Sequence, residues 1–92
     1  MGAWARNQNG GQSCIAAKRF IVHTDVYNAF LEAFIAEMEA LTVGDPMDDE
    51  TDLGPQARED LLNELHEQVT ATVEAGAAVE TGGEPLDRNG FF

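Results

Sequence analysis

Basic residues are scarce in this chain: five Lys and Arg stand against 17 Asp and Glu, for a formal net charge of −12. A surface of that sign cannot neutralise phosphates, which argues against nucleic acid as a partner, and it is repelled by anionic membrane headgroups. Cysteine is reduced to a single residue, so no internal disulfide can form and a reducing, cytoplasmic setting fits. Long apolar runs are missing too. Arg6, Asn7, Gln8 and Asn9 break up the N-terminal stretch where a signal peptide needs its apolar core. No segment approaches the ~20 apolar residues of a membrane-spanning helix. Internal repeats and low-complexity tracts are absent.

What remains is an ordinary amount of apolar material, 43% of 92 residues, enough for a folded chain of at most one small domain. The acid excess fits a heavily hydrated surface that stays soluble at high salt, where screening removes self-repulsion. A halophilic source is one expectation and an ordinary acidic protein the other.

The order of elements reads as α/β. Met1–Asn9 suits the tail of a helix, stopped by the turn from Asn9 to Gln12. Arg19–His23 is a short β-branched and aromatic run expected as a buried strand. Thr24 or Asp25 offers an N-cap for a helix to about Leu41. Val26, Phe30, Phe34 and Met38 recur on it every four residues, flanked by Tyr27, Leu31, Ile35 and Leu41. Gly44-Asp45-Pro46 ends that pattern, and an acidic loop from Asp48 to Asp52 closes on Gly54-Pro55. A second helix is expected over Ala57–Glu74, with Leu61, Leu62, Leu65, Val69 and Val73 on one face and Gly76 as its stop. Ala77–Thr81 is a weaker strand candidate. Strand, helix, loop, helix, strand is the grammar of a crossover onto a parallel sheet, which two strands alone cannot sustain. The chain therefore reads as a helix-rich piece of a larger α/β domain. Trp4, Phe20, Phe30 and Phe34 are its expected core aromatics.

Cys14 is the residue with chemical potential. Most lone cysteines are small buried hydrophobes, but the Gly10-Gly11-Gln12 turn before this one points to a nucleophile on a tight polar loop. Asn9-Gly10-Gly11-Gln12-Ser13-Cys14 resembles the Asn-x-Gly-Gln-x-Cys nucleophile motif of the NAD(P)-dependent aldehyde dehydrogenases. Val43-Gly44-Asp45-Pro46, Leu53-Gly54-Pro55, Gly76-Ala77, Gly82-Gly83 and Gly90-Phe91-Phe92 resemble further landmarks of that family, in register across nearly the whole chain. Gln12–Phe20 and Ala57–Val69 look most like its succinate-semialdehyde dehydrogenase branch. Some members of that branch carry an arginine for the substrate carboxylate six residues before the nucleophile, where this chain has Gln8.

The resemblance implies that residues 1–92 are part of the catalytic domain, beginning just ahead of the nucleophile loop. It makes Cys14 the nucleophile, its own backbone N–H an oxyanion donor, and Asn9, Gly11 and Gln12 the supporting loop. The dinucleotide-binding domain, a second oxyanion asparagine and the glutamate base would precede Met1, and a ribose-binding glutamate would follow Phe92. The cofactor would be NAD or NADP and the substrate a small aldehyde. The 92 residues alone are expected to bind no cofactor well, to lack activity and to self-associate until joined to the rest of the enzyme.

Other constellations are weaker. Asp48, Glu50, Asp52 and Glu59 imitate a calcium loop, but the glycine falls one place late, at Gly54, and Pro55 follows it. His66 has Thr70 where a helical zinc site needs a second histidine. Lys18 and Arg19 are candidates to meet a carboxylate or a backbone carbonyl near the Cys14 loop. The competing reading of the whole chain is a small acidic interaction module, pairing through the helix faces of Phe30 and Leu65 with an inert Cys14.

Overall fold

A computed structural model describes all 92 residues, which divide into two compact units, Met1–Gly54 and Pro55–Phe92. The first holds helix α1 (Gly2–Asn7), a 3-10 stretch Gln8–Gly11, a 3-10 turn Thr24–Val26 and helix α2 (Tyr27–Glu39); the second holds helix α3 (Glu59–Glu74).

In the first unit α1 packs on α2 through small residues and aromatic rings. Ala3 and Ala16 are each only 3% exposed. Phe20, Phe30 and Phe34 form a cluster with ring centroids 5.0–6.0 Å apart, a spacing at which aromatic pairs attract beyond their area burial. A Cβ at Gly2 would sit 3.3 Å from the Phe34 ring, so α1 approaches the cluster closely where its side chain is smallest. Asn7 Nδ2 donates to Ala3 O and to Met38 Sδ, at 2.7 and 2.9 Å, tying the end of α1 to α2.

The α2 stripe is half-buried at Phe30, Leu31, Phe34, Ile35, Met38 and Leu41, as the four-residue spacing predicts, but Val26 and Tyr27 are exposed. They lie in and beside the 3-10 turn, whose three residues per turn throw them out of phase with the α-helical face. The cap also sits earlier than expected. His23 Nδ1, neither Thr24 nor Asp25, accepts the Asp25 N–H at 3.1 Å. Trp4, expected in the core, is 68% exposed, because α1 turns its alanines and Gly2 toward α2 instead.

The acidic connection is closed on itself. Val43 and Leu53 form an isolated parallel bridge. Gly44 N–H donates to Leu53 O at 2.9 Å, and Asp52 and Leu53 N–H both reach Thr42 O, at 2.8 and 3.0 Å.

In the second unit α3 begins two residues later than expected and ends at Glu74, with Gly76 in the left-handed region (φ 111°) as the predicted stop. Leu61, Leu62 and Val69 are half-buried, whereas Leu65 and Val73 are exposed. The C-terminal turn folds back. Leu86 N–H donates to Phe92 O at 3.0 Å, Gln56 N–H to Phe91 O at 2.7 Å, and the Arg88 guanidinium lies 4.3 Å over the Phe92 ring.

Neither expected strand forms. Arg19–His23 and Ala77–Thr81 carry no ladder, leaving helices and one bridge in place of the strand-bounded order. A strand exists only through a neighbour's hydrogen bonds, and the two segments belong to different units. Ile21, central in the first, is fully exposed. No helix is long and apolar enough to cross a membrane.

Candidate active site

The loop that presents Cys14 starts where α1 ends. Asn9 (φ 52°), Gly10 (φ 63°) and Gly11 (φ 79°) take left-handed conformations in succession. An ordinary side chain loses about 1–2 kcal/mol per residue there, while glycine loses nothing and asparagine little. The Asn-Gly-Gly order is therefore a conformational requirement. Gln12 closes the turn twice on one acceptor: its N–H and its Nε2 both donate to Asn9 O, at 3.1 and 3.0 Å. A second turn follows, with Ala16 N–H on Ser13 O at 3.0 Å, and Cys14 stands on it as an exposed free thiol. Ala17 N–H then bonds Ala5 O at 2.9 Å, returning the chain to α1.

Two cations grip this loop by its carbonyls. Arg6 Nη2 donates to Gly11 O and Arg6 Nη1 to Ala17 O, both at 2.9 Å, so one guanidinium spans the two ends of the loop. Gly11 is glycine for a second reason here. A Cβ on it would lie 2.5 Å from Arg6 Nη2, inside contact distance. Lys18 Nζ gathers the carbonyls between those ends: Ala16 O at 2.7 Å, Ser13 O at 3.1 Å and Cys14 O at 3.4 Å. The Cys14 carbonyl is thus drawn toward Lys18, and its N–H takes no part in the loop's internal bonding.

Charge is distributed to match. Every one of the 17 acidic residues lies at or after Asp25, whereas Arg6, Lys18 and Arg19 are three of the five basic ones. A chain of net charge −12 therefore keeps an acid-free, cationic stretch around its only thiol. In sequence terms those acids were open to Arg6 and Lys18 as partners no less than the loop carbonyls they took, so composition alone could not announce the grip.

Asn9, Gly11, Gln12 and Cys14, the residues singled out by the motif, come together in this one loop. Lys18 meets carbonyls, one of the two partners expected of it. Arg6, two residues before Gln8, had no assigned role in the sequence, and its hold on the loop carbonyls was missed: the signal available was an arginine five residues ahead of a glycine that must stay small. Both of its terminal nitrogens are occupied by main-chain oxygen, so Arg6 is not offered as a carboxylate ligand in the place of Gln8. Gln8 instead lines a hollow of about 570 Å³ with Trp4, Asn7, Leu41 and Leu53. Cys14 is not among the residues lining that hollow.

Comparison with known proteins gives this geometry a context. Residues 2–92 match the sequence profile of the aldehyde dehydrogenase family. The chain is 58% identical over 88 residues to a succinate-semialdehyde dehydrogenase [NADP(+)] of Mycolicibacterium paratuberculosis, and 54% identical over 87 residues to its Mycobacterium leprae counterpart. Those alignments take in 96% and 95% of this chain but 19% of each relative, so the chain spans about a fifth of their length. Among solved structures, Gox0499 superposes with a TM-score of 0.95 at 38% identity, covering 99% of this chain and 20% of that one. Lactaldehyde dehydrogenase from Escherichia coli gives 0.95 at 28% identity, covering 99% and 19%. On this profile, these relatives and these folds, the chain belongs to the aldehyde dehydrogenase family.

Proposed function

We propose that this chain carries the nucleophile of an NAD(P)-dependent aldehyde dehydrogenase, with Cys14 as the attacking group and succinate semialdehyde as the substrate. One observation carries the reading: an exposed thiol on a loop whose carbonyls are gripped by cations and whose Cys14 N–H is left unengaged. Attack by the thiolate on the aldehyde carbon forms the S–C bond and moves the carbonyl π pair onto oxygen. The Cys14 N–H donates to that oxygen, on a stretch of chain that carries no acid before Asp25 to oppose the growing negative charge. Asn9, Gly11 and Gln12 hold the turn that sets the approach. NADP, named for the mycobacterial relatives, or NAD would supply the two-electron oxidation of the adduct, and water would then release the acid.

Two places in residues 1–92 where a dinucleotide phosphate could be sought do not favour one. Gly82-Gly83 leads into no helix, and α3 opens with Glu59 and Asp60, which repel a phosphate from its N-terminus. The cofactor site, the second oxyanion donor and the base are therefore assigned to protein outside this segment, and the isolated segment to inactivity. The same assignment makes Arg19–His23 and Ala77–Thr81 strands completed by neighbours elsewhere in the parent catalytic domain. It also accounts for exposed Trp4, Ile15, Ile21 and Met47, surfaces through which the segment alone would self-associate. We place the parent in the cytoplasm.

The succinate semialdehyde reading is supported by the two mycobacterial relatives and by the cationic stretch, which suits an anionic aldehyde. In the full-length protein, Cys14→Ser is expected to abolish NADP reduction with succinate semialdehyde. Turnover surviving that substitution overturns the role of Cys14. Equal turnover of succinate semialdehyde and of an uncharged aldehyde of the same length overturns the substrate.

A further inference from the structure

Two of the chain's five cations are spent on neutral oxygens of a single loop, although 17 carboxylates are present in the sequence. Hydrogen bonds from a charged donor are about twice as strong as neutral ones. Five such bonds on Gly11, Ser13, Cys14, Ala16 and Ala17 fix the peptide planes on both sides of the thiol. A peptide plane has two polar faces, so holding its carbonyl on one side directs its N–H to the other. In this loop the held plane that matters most precedes Cys14, because it joins the Ser13 carbonyl, taken by Lys18 at 3.1 Å, to the Cys14 N–H, and the Arg6 fork sets the frame in which that N–H stands.

We propose that Arg6 and Lys18 act as a cationic clamp that positions the Cys14 peptide for reaction; the proposal rests on Cys14 being the nucleophile. Neither side chain is placed against a substrate. They are positioning residues, acting through the backbone. Arg6 spans the loop's ends and Lys18 gathers its middle, so the two are not redundant. Gly11 belongs to the device because its missing side chain is what lets the guanidinium close on the carbonyl.

The test uses the full-length protein with NADP and succinate semialdehyde, reading kcat, KM and the melting temperature. Arg6→Met and Lys18→Met are each expected to lower kcat by about ten-fold or more, as small displacements of a reacting group do, with KM changed less than about two-fold. Arg6→Lys keeps the charge but has a single nitrogen in place of the two separate donors that span Gly11 O and Ala17 O, and is expected to recover part of the loss. If both Met variants keep kcat within about two-fold of the parent, the clamp is overturned. It is also overturned if Arg6→Lys is no better than Arg6→Met and the losses track melting temperature alone. Should Arg6→Met not fold, Lys18→Met decides, since it alters an exposed side chain. Cys14→Ser separates the two ideas. Full turnover in that variant sinks the nucleophile, whereas a dead Cys14→Ser beside unaffected clamp variants sinks only the clamp.

Discussion

In the loop around Cys14 main-chain carbonyls are taken by cations, whereas in the loop from Thr42 to Gly54 main-chain N–H groups are taken by carboxylates. Asp45 Oδ1 accepts from Met47 N–H at 2.8 Å, Asp48 Oδ1 from Glu50 N–H at 3.0 Å, and Asp52 Oδ2 from Thr42 N–H at 2.8 Å. Both loops lie in the same compact unit and both use glycine. What differs is which half of the peptide group is consumed. Side-chain charge thereby decides which half is left over. The first loop keeps the Cys14 N–H, a donor suited to an oxyanion. In the second, Asp45 and Asp48 close Asx-type turns and Asp52 reaches back to the Thr42 N–H.

The largest expected difference between the loops comes from glycine. Gly11→Ala places a side chain at φ 79° and 2.5 Å from Arg6 Nη2, so it opposes both the turn and the guanidinium. In the full-length protein a loss of about a hundred-fold in kcat is expected. Gly44→Ala meets Thr51 Oγ1 at 2.9 Å, with no positive φ to violate. It should cost about 1–3 kcal/mol of stability by overpacking, read from denaturant unfolding, and leave kcat alone. Activity lost in Gly44→Ala as in Gly11→Ala would dissolve the distinction between a reactive and a structural loop.

A smaller effect separates the acceptors of the second loop. Asp52→Ala removes the partner of Thr42 N–H, for an expected loss of about 1 kcal/mol, and Asp52→Asn keeps an acceptor and should lose less. Equal losses would mean that the charge of Asp52, rather than its hydrogen bond, holds the loop.

The Cys14 loop was legible in sequence because its causes are local. A glycine run behind an asparagine demands left-handed backbone whatever surrounds it, and Gln12 reaches back only three residues. The α2 stripe and the Gly76 stop were readable for the same reason. Arg6 was not, since its bond to Ala17 spans eleven residues and depends on how the loop returns to α1. Arg19–His23 shows the opposite failure. Its β-branched pattern is plain, but a ladder needs a partner, and none of these residues supplies one. Trp4 misled through size alone: alanines made the closer packing against α2.

Arg58 and Asp60 offer a third arrangement, charge on charge, and the smallest expected effect. Arg58 Nε donates to Asp60 Oδ1 at 2.9 Å and Nη2 to Asp60 Oδ2, at the exposed start of α3. The Arg58 hydrogen bond holds the Asp60 carboxyl below its ordinary value of 3.8, and Asp60 in turn raises the guanidinium. Because the folded carboxyl binds its proton less readily than the unfolded one, the pair's stabilisation is complete above 3.8. It fades as pH falls through 3.8 and is gone below the lowered folded value. Arg58 stays protonated throughout and adds no slope. Acid titration of α3 helicity by circular dichroism should therefore show a shallow loss in that window, absent from Asp60→Asn. About 1 M salt should flatten it, since screening reaches about 3 Å at that strength and both partners face solvent. The carbonyl clamp at Cys14 pairs charge with a dipole over a partly buried Arg6, so the same salt should leave kcat of the full-length protein nearly unchanged. If salt removes both alike, the Cys14 loop is held by long-range attraction between the cations and the acidic remainder of the chain, and the contrast between the two loops falls with it.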